Sequence, residues 1–239
     1  MTIVTHIDTL SKRKIDAHWM FLSSCWGSLG EISDWNPDWN KVMIYLVHRY
    51  QTPKRYYHNL NHIEYCLREL QEIDIDRESK IIIELAIWFH DAVYDISKTD
   101  NEEQSAKLAV RCLNAFNVNA VIIDKVEGMI LKTKDHKCMG DWAENIFLDI
   151  DMSILAADNI TYRKYKNGIL REFKEYCAKV YESQISNRDF YTMRNYALNK
   201  ILDMDQIFVS AWYIDKEAKA RENLKLEIFE NENYLKKGC

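Results

Sequence analysis

Only eight of the 239 residues are glycine (6) or proline (2). Average usage would put the two together near ~12% of a chain, and sheet proteins need both for the tight turns between strands. A chain this poor in them is expected to be all-α. That excludes sandwiches, barrels and Rossmann units, and nothing resembling GxGxxG or GxxxxGKS/T is present. The length suits one domain with a sizeable core, and 47% hydrophobic with 29% charged residues is a globular balance.

The net charge of −5 lacks the basic footprint of a general nucleic-acid binder. Cys25, Cys66, Cys112, Cys138, Cys177 and Cys239 are scattered without a CxxC pair, and the N-terminus has no apolar signal core, so reduced thiols in the cytoplasm are expected. The longest apolar stretch, residues 81–89, is interrupted by Glu84 and is too short to span a bilayer. No membrane segment is expected.

Asn36-Pro37 followed by an acid reads as a helix start, with Val42, Tyr45, Leu46 and Tyr50 recurring at helical spacing. Further helices are expected over 60–73, 79–94, 101–116, 119–132, 142–156, 160–182, 187–203 and 215–235. Ser79 reads as a lead-in to an apolar run, and Asp100-Asn101-Glu102-Glu103 as a cap plus first-turn acids. With no linker rich in proline, glycine or serine, one domain over 1–239 is expected, its C-terminal third packed on the first two-thirds.

Three polar residues interrupt this apolar patterning. In 79–94 the stripe Ile83, Ile87, His90, Tyr94 puts His90 where a core residue belongs, with Asp91 beside it. In IFLDIDMSIL, Phe147, Asp151 and Ile154/Leu155 share one face, whereas Asp149 points elsewhere, so Asp149→Ala is expected to affect metal retention little beside Asp91→Ala. His62 lies one turn before Cys66 and two before Leu70 on an inward face. A buried acid must be paired, protonated or bound to a metal. Two histidines and two aspartates without thiolate suit one Mn²⁺, Fe²⁺, Ni²⁺, Mg²⁺ or Zn²⁺ ion. Each residue alone has an ordinary alternative: a core histidine donating to a carbonyl, or an aspartate that caps a helix or pairs with an arginine. The joint pattern of His, then His-Asp, then Asp on separate helices favours a metal centre.

That pattern resembles the HD-domain superfamily of metal-dependent phosphohydrolases, and within it the bacterial metal-dependent phosphohydrolase branch. The resembling segments are RYYHNLNHI (55–63), ELAIWFHDAVYD (84–95), DNEEQSAKLA (100–109), KTKDH (132–136), LDIDMSILA (148–156), YRKYKNGILREF (162–173) and EAKARENLKLEI (217–228). The resemblance implies an HD-like helical bundle with a core over about 40–160, extended by C-terminal helices over about 160–235. It implies His62, His90, Asp91 and Asp151 as metal ligands, and hydrolysis of a phosphate ester, a nucleotide or another small phosphorylated metabolite, by metal-activated water. The chain departs from the family in having Tyr94 three residues after the HD aspartate, with Asp95 one further on, and in lacking the extra histidines of two-metal members. A single ion is therefore expected.

Phosphoryl transfer needs charge neutralisation, which makes Arg55, Lys132, Lys134, His136 and Arg163 candidates for substrate binding. His58, Glu102 and Asp95 are candidates for proton transfer or for positioning water; a cap, a first-turn acid and a loop acid are their structural alternatives. Tyr56, Tyr57 and Tyr94 fall near the ligands and could line a pocket, whereas Trp26, Trp35 and Trp39 read as packing of the N-terminal helices. Two other functions compete: a non-catalytic metal- or nucleotide-binding regulatory module, and a helical scaffold whose polar core residues pair with one another. A homo-oligomer is compatible with exposed helix faces.

Overall fold

Residues Ile81 to Phe89 are buried without a break, including Glu84. A helix that is buried all round must be the centre of its bundle. In the computed structural model, which describes residues 39–136, 140–180 and 186–237, it is indeed enclosed by other helices. The expected helix start at Asn36-Pro37, Trp26 and Trp35, the side chain of Trp39, and Cys25, Cys138 and Cys239 lie outside the described residues.

The described chain is all-α, with no strand among the described residues. Its helices are α1 Trp39–Tyr50, α2 Leu60–Gln71, α3 Arg77–Phe89, α4 Asn101–Ala115, α5 Ala120–Lys132, α6 Trp142–Met152, α7 Asn159–Val180, α8 Asn187–Leu202 and α9 Glu217–Lys237. Short 3-10 turns at Ser153–Ala156 and Ile214–Lys216 precede α7 and α9. Helix α3 packs against α2, α4, α5 and α6. Each isoleucine or leucine fully buried in that contact stabilises the fold by ~1.5–3 kcal/mol. The C-terminal helices share this core, since Leu198, Phe208, Ala220 and Leu224 belong to the same apolar cluster as Ile63 and Ile87. Asn223, buried on α9, donates to the carbonyls of Leu155 at 2.8 Å and Ala157 at 2.9 Å. No helix of the described residues is long and apolar enough to cross a membrane.

Local start signals follow from side chains that accept from free N–H groups at helix N-termini. Asn59, Asp76, Asn119, Asp141 and Ser186 all cap in this way. Two expectations are corrected. Helix α3 begins at Arg77, capped by Asp76, and Ser79 is the residue whose N–H donates to that cap at 3.0 Å. The Asp100 side chain makes no capping bond and instead accepts from Gln104 Nε2 at 2.9 Å.

The larger correction concerns the end of α3. The apolar pattern runs on to Tyr94, but the helix stops at Phe89, with His90 as its C-cap in right-handed conformation. Beyond it, distant groups take the backbone. Arg49 Nε donates to Ala92 O at 2.7 Å, Arg55 Nη1 donates to Asp91 O at 2.7 Å, and Ser105 Oγ accepts from Val93 N at 3.0 Å. Two guanidinium groups at a helix C-terminus also oppose its partial negative charge. They fix the Asp91 backbone just outside the helix.

Asp149 has a structural role of its own. It faces away from Asp151, but it is 1% exposed and accepts from Val209 N at 3.2 Å and Ser210 N at 2.7 Å. Removing it orphans two N–H groups at a buried contact, at ~1–3 kcal/mol each. Asp149→Ala is therefore expected to lower unfolding free energy by ~2–4 kcal/mol in urea titration while leaving metal content unchanged. A wild-type midpoint would contradict this account.

Burial pushes the Glu84 carboxyl up from its ordinary 4.5 to about 8. Its Oε1 finds no hydrogen-bond partner among the described residues, and the Trp88 side chain and Lys80 offset only part of the burial cost. Between those two values the fold holds a proton that the unfolded chain has released, so stability falls as pH rises through that window. Glu84→Gln removes the effect. It is expected to stabilise the protein by on the order of 3–5 kcal/mol once the wild-type carboxyl would be ionised, and by little in mild acid. Parallel melting curves of both proteins from pH 4.5 to 8.5 check this, and profiles of the same shape would refute it.

Candidate metal centre

His62 is the third residue of α2, whose first turn is tied to Asn59 through His62 N→Asn59 O at 3.0 Å. His90 closes α3, and its Nδ1 lies 2.9 Å from Ile87 O. A carbonyl only accepts, so that nitrogen carries the hydrogen and Nε2 of the neutral ring presents its lone pair. The two Nε2 atoms stand 3.2 Å apart. Asp91 Oδ2 is 3.2 Å from His90 Nε2 and 3.9 Å from His62 Nε2. Asp151 Oδ1, from the last turn of α6, is 3.1 Å from His62 Nε2 and 3.7 Å from His90 Nε2.

These separations can be set against coordination geometry. Around an ion with bonds of ~2.1 Å, neighbouring ligand atoms at right angles lie ~3.0 Å apart and opposite ones ~4.2 Å. All five distances fall in that range. His62, His90 and Asp151 bring ligand atoms within 4.8 Å of one another; Asp91 lies beside this group of three, closest to His90 at 3.2 Å. The histidine side chains are only 1% and 2% exposed, whereas Asp91 and Asp151 are 20% and 16% exposed. The rings are sealed in the core and the aspartate side chains are partly exposed. The His62, His90 and Asp151 donors therefore fit a divalent ion with positions left over for other ligands, Asp91 standing beside them.

Electrostatics agree with that fit. Burial opposes charge on His90, but Asp91 and Asp151 outweigh it and hold the ring's pKa up at about 9. Burial likewise opposes charge on the aspartates. His90, His58 and His62 nevertheless hold Asp91 below the usual carboxylate range, and hydrogen bonds from His136 and His62 do so for Asp151. The two Nε2 atoms at 3.2 Å either share a proton in a hydrogen bond or face a cation between them. A proton and a metal ion thus compete for the same nitrogen atoms. Cys66 Sγ sits 3.7 Å from His62 Nδ1, but burial pushes this thiol well up, which keeps it a thiol packed on the ring.

A second layer surrounds the cluster. His136, in left-handed conformation with φ 51°, brings Nε2 to 3.0 Å from Asp151 Oδ2. His58 stacks on Tyr94 with ring centroids 4.3 Å apart, and its Nδ1 is 2.6 Å from Glu172 Oε2. Glu172 Oε1 accepts from three successive N–H groups, of Tyr56, Tyr57 and His58, at 2.7, 2.7 and 3.0 Å. Tyr94 OH donates to Oε2 at 3.2 Å. Sequence reasoning assigned no role to Glu172. Its one signal was Gly168, a turn earlier on α7, where an added Cβ would meet Tyr56 O and Tyr57 Cβ at 3.0 Å. Only glycine lets α7 approach closely enough for Glu172 to reach that segment.

Other candidates are engaged elsewhere. The Arg55 guanidinium holds the carbonyls of His58, Asp91 and Ala92 and lies over the Tyr50 and Tyr94 rings. Lys132 pairs with Glu144, and Lys134 with Glu103 and the Thr99 carbonyl. Asp95 Oδ1 accepts from the Ser97 N–H and hydroxyl as a loop acid. Glu102 is half-buried in the first turn of α4, with no side-chain hydrogen bond among the described residues. Arg163 is exposed on α7, away from the cavity beside His62. That cavity, of about 390 Å³, is lined by Tyr56, Tyr57, Asn59, Asn61, His62, Tyr65, Ile154, Thr161, Lys164 and Tyr165. Tyr56 and Tyr57 thus line a pocket as expected, whereas Tyr94 is not part of this cavity's lining.

No protein-family model matches the chain, and no curated protein matches it. The geometry above is therefore the ground for a functional reading.

Proposed function

We propose that the protein is a metal-dependent phosphohydrolase of the HD type that releases phosphate from a small phosphate ester. The observation that carries this reading is the convergence of His62, His90 and Asp151 from three helices and their ends at coordination distances, with Asp91 beside His90 and both aspartates partly exposed. The sequence resemblance to HD phosphohydrolases supports it. These four side chains would hold one divalent ion, and their nitrogen and oxygen donors suit Mn²⁺, Fe²⁺, Ni²⁺, Mg²⁺ or Zn²⁺. When bound, such an ion polarises a phosphoryl oxygen and lowers the pKa of water enough to make it a nucleophile.

The chain's own residues supply the rest. Glu172 anchors His58 through Nδ1, leaving Nε2 to hold a proton. Burial opposes the charged ring, yet Asp91 and Glu172 together raise the His58 pKa. A histidine so tuned can protonate the departing alkoxide oxygen, which would otherwise leave as a strong base. His136 steadies the outer oxygen of Asp151. The free thiols Cys66, Cys112 and Cys177 fit a reducing compartment such as the cytoplasm.

The test is phosphate release from a panel of phosphate monoesters and nucleotides, with wild type and His90→Ala each supplied with Mn²⁺, Ni²⁺ or Mg²⁺. Wild type is expected to turn over at least one ester, and His90→Ala to lose at least ~10³-fold while keeping its helical circular dichroism. No release by wild type across the panel would overturn the enzymatic reading in favour of a non-catalytic metal- or nucleotide-binding module.

A further inference from the structure

The charge around the proposed centre is unbalanced for its substrate. Two aspartates and a divalent ion sum to zero, and a phosphate monoester carries about −1.5 to −2 near neutral pH. A cation is needed beside the ion, and most nearby ones are committed. Arg55 holds backbone carbonyls, Lys132 pairs with Glu144, Lys134 pairs with Glu103, Lys54 pairs with Glu175, and His58 is matched by Glu172. Lys164 is different. Although exposed like Arg163, it lines the cavity that shares His62 with the metal cluster, and among the described residues it makes no hydrogen bond or close ion pair, facing only the charge of Asp158 at longer range. It also precedes Gly168 and Glu172 at four-residue steps on α7, the face pressed against residues 56–58.

The cavity limits what can enter. At about 390 Å³ it is near the lower end of the ~300–1,000 Å³ usual for small-molecule sites. Tyr57, Tyr65, Tyr165 and Ile154 form its apolar walls. Tyrosine faces favour a flat ring by stacking. Resting on the phosphohydrolase reading, we infer that Lys164 is the counter-cation for the substrate's phosphate and that the tyrosine-walled cavity takes a monoester of a flat-ringed alcohol. Lys164 is thus a substrate-binding residue, and neighbouring Arg163 is not.

Benzylphosphonate and methylphosphonate test this at equilibrium, because their C–P bonds resist hydrolysis. Each is titrated calorimetrically into the Mn²⁺-loaded full chain as wild type, Lys164→Met and Arg163→Met, with metal content measured in every sample. Benzylphosphonate is expected to bind wild type at least ~10-fold tighter than methylphosphonate. Lys164→Met is expected to weaken both ~10–100-fold with its metal retained, and Arg163→Met to change neither by more than about twofold. Equal binding by Lys164→Met and wild type overturns the assignment of Lys164, and equal affinity for the two phosphonates overturns the flat-ring preference. If metal-replete wild type binds neither, the cavity proposal fails while phosphate release still decides the phosphohydrolase reading. If wild type takes up no metal, both fall together.

Discussion

Asp91→Asn is expected to bind divalent metal at least ~10²-fold more weakly than wild type, because it removes a charged ligand that no neighbour replaces. The other groups near that oxygen, His90 at 3.2 Å and His62 at 3.9 Å, are themselves ligands in the proposed centre. A grading should accompany the loss. His136→Ala is expected to cost less, since it touches Asp151 only through the outer Oδ2, and second-layer changes cost ~10–100-fold. Asp149→Asn should retain metal, because Asp149 contacts the backbone of Val209 and Ser210 instead. Elemental analysis after exchange into metal-free buffer gives the occupancy. A second readout is thermal: metal at 100 times its Kd stabilises a native state by ~2.7 kcal/mol, so wild type should melt several degrees higher with Mn²⁺ and Asp91→Asn should not. Loss of metal from Asp149→Asn but not from Asp91→Asn would mean that the centre has been assigned to the wrong aspartate.

The contrast between Asp149 and Asp151 shows how far periodicity alone can be read. Spacing with Phe147 correctly turned Asp151 inward, because both lie on α6 one turn apart; Leu155 follows in the 3-10 turn and is buried as well. The same spacing also turned Asp149 the other way. What it could not register is that the far side of α6 is buried too, against a loop 60 residues further on whose N–H groups need an acceptor. The end of α3 failed for the same reason. Nothing between His90 and Tyr94 breaks a helix by its own propensity; the break comes from Arg49, Arg55 and Ser105, which compete for the carbonyls and N–H groups of residues 91–93. His62, His90 and Asp91 were legible because a polar residue in an apolar stripe is anomalous within a single turn. Glu172 was illegible because a glutamate on a charged amphipathic helix is ordinary, and its meaning comes only from a contact 114 residues away.

That contact carries the second large effect. Glu172→Ala is expected to destabilise the protein by ~3–5 kcal/mol, since it orphans the N–H groups of Tyr56, Tyr57 and His58 and strips His58 of its counter-charge. Glu172→Gln separates the two roles. An amide oxygen can still accept from the three N–H groups, so most of the stability should remain, but an NH₂ facing His58 Nδ1 disfavours the protonated ring. The His58 pKa, raised in wild type above its ordinary 6.5, should therefore fall in Glu172→Gln, which NMR titration of the ring protons reads directly. The sign of the stability effect follows. A raised histidine pKa contributes stability that is complete below 6.5 and is lost as pH rises through the folded-state value. Glu172, held below its ordinary range despite burial by its bonds to His58 and the backbone, contributes stability that is lost as pH falls through its own folded value. Wild type should thus exceed Glu172→Gln most in mildly acidic solution, between those limits, and the two should converge in alkali. If His58 acts as the acid, the alkaline limb of the rate profile should move to lower pH in Glu172→Gln by as much as the NMR pKa does. An unmoved limb beside a moved pKa would assign proton donation to another group and leave Glu172 as the anchor of residues 56–58 alone.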